Sequence, residues 1–491
     1  MLFNSFEFLI FFPLVASIYF LIPHKYRWLH LLLASCIFYM AFIPVYILIL
    51  FFTIVIDYFA GILIEKAQGK NKKLYLSWSI IANVAVLAVF KYYNFFIDNA
   101  NDIITAINPA YRPMEYLGIL LPVGLSFHTF QAMSYTIEVY RGNQKAEKHF
   151  GIYALYVMFF PQLVAGPIER PQNILHQFHE EKKMDYSNIT SGLRLMAWGF
   201  FKKCVIADRL GILVGNVHGN LNDLSGFPVF LGMVFFAIQI YCDFSGYSDI
   251  AIGSARVMGY KLMRNFNYPF ISKNVTEFWR RWHISLSTWF NDYLFMPLIT
   301  KWRDAGIKGI CFALMFTFFL SGLWHGAGWN FIIYGLLHGL ALVVELLTKK
   351  SRKKLFSKLP SWVGNGITII ITFLYVSFSW IFFRSKDVNT SLVYIGKLFT
   401  GWKTSIHSII YNENFSRLPN LYLGEEKKHF FIAVLGVLIL FSIEHFHRTK
   451  NIFSVLYQKP SILRWSGYYL LILSIFFFGV YTKTQFIYFQ F

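Results

Sequence analysis

Charge is scarce in this sequence. Asp, Glu, Lys and Arg supply 14% of its 491 residues, where a soluble domain carries about 25%. Together with 56% apolar and 20% aromatic content, that shortage excludes the two or three soluble domains that the length alone would suggest. Cysteine is scarce as well. Cys36, Cys204, Cys242 and Cys311 show no paired spacing, which argues against a disulfide framework or a zinc cluster and leaves them as packing residues. A removable leader is not expected, because Met1 to Phe8 has no basic stretch and no small-residue cleavage site before the first apolar run. Nor does a low-complexity linker, a second composition regime or an internal repeat divide the chain, so residues 1–491 read as a single membrane-embedded domain.

What the chain has instead is a succession of apolar runs, comparable to the ~20 helical residues that cross a hydrocarbon core of ~30 Å. Candidate spans fall at 6–22, 28–42, 43–64, 74–97, 116–138, 151–165, 190–214, 226–258, 307–323, 329–347, 364–383, 429–444 and 465–482. Pro44, Pro122, Gly124 and Pro161 interrupt several of them, so some are expected as re-entrant or broken helices buried within protein. The fold expected is therefore an all-α polytopic membrane protein with about eleven to thirteen transmembrane or re-entrant helices. The net charge of +20 does not point to nucleic acid, because Lys and Arg lie in short loops between apolar runs, as the positive-inside rule describes. The run Lys349-Lys350-Ser351-Arg352-Lys353-Lys354 and the cluster Lys66, Lys70, Lys72 and Lys73 mark cytoplasmic loops. Counting spans from them puts the N-terminus, segment 384–428 and the terminal Phe486-Ile-Tyr-Phe-Gln-Phe491 outside.

Inside a bilayer an ionisable side chain costs on the order of a few kcal/mol, so each one is a functional candidate until packing explains it. Ser321-Gly-Leu-Trp324-His325-Gly-Ala-Gly-Trp329-Asn330 joins two apolar spans. Its glycines permit close backbone approach and a helix break, while Trp324, Trp329 and Asn330 are placed to line a slot. A desolvated histidine there is biased toward its neutral form, which accepts a proton from a hydroxyl or thiol nucleophile. General-base catalysis of that kind is worth ~10²–10⁴ in rate. The plainer reading, a ring that merely hydrogen-bonds a neighbouring helix, stands beside it. His338 lies thirteen residues on, and at about 100° per residue it points away from His325 unless Gly326 and Gly328 break the helix. His325 is read as catalytic and His338 as structural.

A second region runs from Lys273 to Asp292 and contains Glu277-Phe278-Trp279-Arg280-Arg281-Trp282-His283. Phe278, Trp282, Leu286, Trp289 and Tyr293 recur at helical spacing, which predicts a helix at or dipping into the membrane interface. An anchoring role is one reading. The other has Arg280, Arg281 and Lys273 holding a phosphate-bearing acyl donor, with His283 as a second active-site residue and Trp282 lining the pocket. Asp243 and Asp249, six residues apart, fall on differing helix faces and are expected to pair with basic residues of other spans rather than with each other. Glu169 and Arg170 lie in a turn rigidified by Pro167 and Pro171, near a membrane face. His176 and His179, like His445 and His447, have spacings a metal can use but lack a third ligand, so no metal is expected.

In this order the motifs resemble the membrane-bound O-acyltransferase family, and within it the bacterial branch typified by the membrane subunit of alginate O-acetyltransferase. The resemblance runs nearly end to end. It rests on Leu121-Pro-Val-Gly-Leu-Ser-Phe-His-Thr-Phe-Gln131, Gln162-Leu-Val-Ala-Gly-Pro-Ile-Glu169, Tyr241-Cys-Asp-Phe-Ser-Gly-Tyr-Ser-Asp249, Phe278-Trp-Arg-Arg-Trp-His283, Leu323-Trp-His-Gly326 and the terminal Phe486 to Phe491. It implies a ring of helices around a thin central region, with His325 at the family's principal catalytic position and His283 at its more variable second one. It also implies a cytoplasmic thioester donor, acetyl-coenzyme A or an acyl carrier, with no tightly bound cofactor. An extracytoplasmic esterase-like partner protein would place the acyl group on a polysaccharide hydroxyl. The alternatives are D-alanyl transfer from a carrier protein towards teichoic acid, a transporter or flippase, which predicts repeated halves, and a non-catalytic scaffold that tolerates loss of His325.

Overall fold

The computed structural model describes residues 1–118, 121–164, 166–411, 422–450, 459–481 and 487, and among them every regular element is helical. Among the described residues, eight helices are long and apolar enough to cross a membrane: Pro44–Lys66, Gly69–Ile107, Phe227–Val257, Arg303–His325, Trp329–Leu347, Ser361–Arg384, Lys427–Arg448 and Ser461–Phe478. The protein is therefore a multi-pass membrane protein. Ser461–Phe478 shows why water is not its solvent. None of its residues is buried, and Leu470, Phe476 and Phe477 stand more than two-thirds exposed on a helix that is apolar all round, which only lipid accommodates.

The other five expected spans are shorter or interrupted, each for a local reason. Phe6–Leu21 has 16 residues and His24–Met40 has 17, the second starting after Pro23. The run from 116 becomes helical only at Leu125, because Pro122 and the left-handed Gly124 (φ 76°) delay the start. Residues 151–164 break at Phe159 into Phe150–Met158 and Phe160–Leu163, since Pro161 has no N–H to return to the preceding turn. Tyr186–Phe200 widens into the π-helical Phe201–Ala207 before Asp208–Gly219 resumes. Of the outer segment 384–428, residues 412–421 lie outside the described residues, as does the terminal motif apart from Ile487.

The chain forms two compact units, Met1–Met196 with Ser248–Arg264, and Ala197–Tyr247 with Asn265–Phe491. In the first, polar side chains bind helix to helix. Asp57 accepts hydrogen bonds from Ser79 (2.6 Å) and Asn83 (2.9 Å) on the next helix, where an unsatisfied carboxylate would be costly. Glu169, in the proline-flanked turn, is fully buried. It accepts from the Met263 N–H and from Asn173, and burial pushes its carboxyl up to about 7. The second unit holds His283, His325 and His338.

Candidate active site

His325 is the last residue of the helix Gly306–His325; Gly326 and Gly328 are extended, and the next helix starts at Trp329. The glycine break is therefore present, and it puts His325 and His338 on different helices. The two helices meet through glycine. A Cβ on Gly322 would collide with the Phe331 carbonyl, and one on Gly335 with the Phe318 carbonyl, so only glycine permits this approach. His325 is 4% exposed and stands edge-on to Trp324 (ring centroids 4.9 Å), Phe383 (5.4 Å) and Tyr334 (5.6 Å).

His283 is fully buried, with φ 43° and ψ 56°, at the start of Ile284–Phe290. Its ring packs edge-on to Phe244 at 4.6 Å and to Trp324 at 6.2 Å. Trp324 thus touches both histidines, and a single indole connects the two motifs that sequence separates by some forty residues. Burial holds the His283 imidazole well below the ordinary histidine range, so the ring is neutral. Asn265 Oδ1 lies 3.1 Å from His283 Nδ1. The left-handed residue also corrects the expected continuous interfacial helix. Val275–Trp279 and Ile284–Phe290 are two short helices with a turn at Arg280–His283 between them, and Phe278, Trp282, Leu286 and Trp289 are buried.

The remaining candidates disperse. Trp282 is 1% exposed inside an aromatic cluster, stacked on Phe278 (5.5 Å) and tilted against Trp380 (4.8 Å). Trp329 is 56% exposed. Asn330 is buried, and its amide donates to the carbonyls of Phe382 (3.1 Å) and Ser385 (2.9 Å), closing the end of Ser361–Arg384 and holding Phe383 against His325. The Arg281 guanidinium is engaged by Glu277 (2.8 Å) and the Asn267 carbonyl (3.1 Å), whereas the Arg280 and Lys273 side chains are exposed.

His338 has both ring nitrogens engaged. Trp279 Nε1–H donates to its Nδ1 (3.3 Å), so Nε2 carries the proton and donates to Ser379 Oγ (2.9 Å), whose own hydrogen goes to the Val376 carbonyl (2.7 Å). Asp243 has its basic partner: Oδ1 pairs with Lys203 at 2.6 Å, and Oδ2 accepts the Ile487 N–H at 2.8 Å. Lys203 also pairs with Asp208 at 2.7 Å. Asp249 is half-buried on the same helix. His179 pairs with Glu147 and His176 approaches Glu180.

Two groups escaped the sequence reading. Lys202 and Lys203 are adjacent lysines inside the apolar run Phe200 to Ile206, and the cost of an intramembrane charge was the signal that could have found them. Asn265 and Ser285 left a weaker one, the repeat Asn265-Phe-Asn267 just before Pro269. An asparagine in a loop is ordinary, and only the fold shows what it touches.

A family model described as MBOAT, membrane-bound O-acyltransferase family, matches residues 148–384, which include both histidine motifs. With relatives similar along most of the chain, the protein belongs to that family and is an O-acyltransferase. Its relatives narrow the comparison. A protein named probable alginate O-acetylase AlgI, from Pseudomonas aeruginosa, is 38% identical over 399 residues, 80% of this chain and 73% of the relative. A peptidoglycan O-acetyltransferase of Helicobacter pylori is 35% identical over 74% of this chain and 72% of the relative. A teichoic acid D-alanyltransferase of Bacillus subtilis is 30% identical over 66% of this chain and 80% of the relative.

Proposed function

We propose that this O-acyltransferase moves an acetyl group from a cytoplasmic thioester donor, across a bacterial inner membrane, towards hydroxyls of an extracytoplasmic polysaccharide of the alginate type, with a partner protein completing delivery. The observation that carries the mechanism is the pair of buried histidines on one indole, His325 and His283 against Trp324. In the reaction a hydroxyl oxygen attacks the thioester carbonyl. The new C–O bond forms, the C–S bond breaks, His325 takes the hydroxyl proton, and that proton passes to the departing thiolate. His283 assists as a second neutral ring. Lys273 and Arg280, both exposed, and Arg281, tied to Glu277, form the basic margin that would position a phosphate-bearing donor such as acetyl-coenzyme A or an acyl carrier. The relatives named for alginate and for peptidoglycan support a glycan hydroxyl as the acceptor class.

The test is acyl transfer from labelled acetyl-coenzyme A in membranes carrying the native chain or His325→Ala, with folding checked in both. Loss of transfer in a folded variant is expected. Undiminished transfer sinks the mechanism. Transfer supported by a D-alanyl carrier protein but not by acetyl-coenzyme A replaces the acetyl reading with the teichoic acid one.

A further inference from the structure

The loop Asn265–Asn267 grips the turn that carries His283. Ile284 N–H donates to the Asn265 carbonyl at 2.9 Å, and Asn267 N–H donates to the Arg281 carbonyl at 2.9 Å. Arg281 adds a side-chain tie to the Asn267 carbonyl at 3.1 Å. The grip has something to hold, because a left-handed residue with a Cβ costs roughly 1–2 kcal/mol and His283 is one of only three such residues described.

The Asn265 side chain then decides the chemistry of the ring. Its Oδ1 lies 3.1 Å from His283 Nδ1, 2.9 Å from Ser285 Oγ and 3.3 Å from the Ser285 backbone nitrogen. A backbone N–H only donates, so the atom facing it is the amide oxygen. An oxygen opposite an imidazole nitrogen requires the proton on that nitrogen, since two lone pairs would repel. Nδ1 is therefore protonated, and Nε2 carries the ring's lone pair. Ser285 Oγ, 3.4 Å from Nδ1, fits the same arrangement by giving its own hydrogen to Asn265.

We propose that Asn265 is a positioning residue for acyl transfer: its amide oxygen fixes the Nδ1–H tautomer and orientation of His283 and presents Nε2 as the basic nitrogen. When Nε2 receives from His325 the proton taken off the attacking hydroxyl, the imidazolium charge is shared with the Nδ1–H···Oδ1 bond. When Nε2 returns the proton to the leaving thiolate, the starting tautomer is restored. The proposal rests on His283 assisting the reaction, as described above.

The test compares native protein, His283→Ala, Asn265→Ala, Asn265→Asp and both Asn265 variants in the His283→Ala background, each checked by thermal melting. Asn265→Ala is expected to lower kcat by about ten- to a hundredfold with KM unchanged. Asn265→Asp keeps the acceptor and the loop, and its carboxylate makes Nε2 more basic, so the acidic limb of the pH–rate profile should move up by about one pH unit or more. Both effects should vanish when His283 is already alanine. Effects that persist undiminished in that background, or an unmoved profile in a folded Asn265→Asp protein, overturn the positioning role while leaving His283 as an assisting base. Full transfer by His283→Ala overturns the role of His283 as well.

Discussion

His325 and His338 sit on adjoining helices, both are buried, and both lie against Tyr334, at 5.6 and 4.9 Å between ring centroids. They differ in what their surroundings ask of the ring nitrogens. His338 is held between Trp279 and Ser379, with the proton assigned to Nε2 by a donor chain that ends on the Val376 carbonyl. For it to act as a base, the Trp279 bond would have to break, leaving a buried indole N–H unsatisfied at about 1–3 kcal/mol. His325 ends a helix beside a glycine break, surrounded by Trp324, Tyr334 and Phe383. Burial by itself therefore does not separate a chemical histidine from a structural one. What marks His338 as structural is that both of its ring nitrogens are committed to hydrogen bonds.

The largest expected effect is the loss of transfer in His325→Ala. A drop in kcat of about 10²–10⁴ is expected, the range of a general base, with Tm close to native because the residue removed lies at a helix end already interrupted by glycine. Radiolabelled transfer and a melting curve on the same preparation decide it. If the variant keeps its activity per folded molecule but melts well below native, the two histidines have been assigned the wrong way round.

Next comes the buried cation of the same unit. Lys203 is 1% exposed and shared between Asp208 and Asp243. Lys203→Met strands two buried carboxylates, which should cost about 3–5 kcal/mol and show as a marked fall in Tm or in the amount of protein recovered from membranes. It extends the comparison to a charge whose partners are all internal. A variant as stable as the native protein would mean that water reaches the carboxylates.

Much of the membrane fold was legible because lipid imposes a single strong rule on composition, and the eight long helices fall where apolar runs occur. What was not legible is where a run stops being a helix. Pro161 and Gly124 were visible as interruptions, but the wide turns at Phe201–Ala207 and the left-handed His283 depend on tertiary bonds that no local pattern records. The same holds for the site. His325 and His283 stood out as ionisable groups among apolar residues, and so did the basic margin from Lys273 to Arg281. Asn265 did not, since its importance lies in one oxygen facing three donors brought in from a distant turn. Trp282 and Asn330 were visible as candidates for a slot, yet in the fold one packs among aromatic rings and the other closes a helix end.

His338→Ala should behave as the converse of His325→Ala. It removes the acceptor for Trp279 and the donor to Ser379, and a loss of about 2–3 kcal/mol follows from the stranded indole N–H and the cavity left behind. Transfer per folded molecule should stay within about threefold of native. A hundredfold loss of kcat at unchanged Tm would move His338 into the chemistry.

The smallest expected effect probes the wall of the His325 site rather than the ring. Asn330→Ala removes two hydrogen bonds, to the carbonyls of Phe382 and Ser385, and should cost about 1–2 kcal/mol because those carbonyls end a helix and find other donors poorly when buried. Phe383 lies between the two bonded residues, so its ring should loosen against His325 while His338, held by Trp279 and Ser379, keeps its place. The expected kinetic result is a fall in kcat of less than about tenfold, together with a lower Tm. Equal effects of Asn330→Ala in native and His325→Ala proteins would show that the asparagine serves only the helix end. A loss of kcat that disappears once His325 is alanine would show that the wall, and not the ring alone, sets the geometry of transfer.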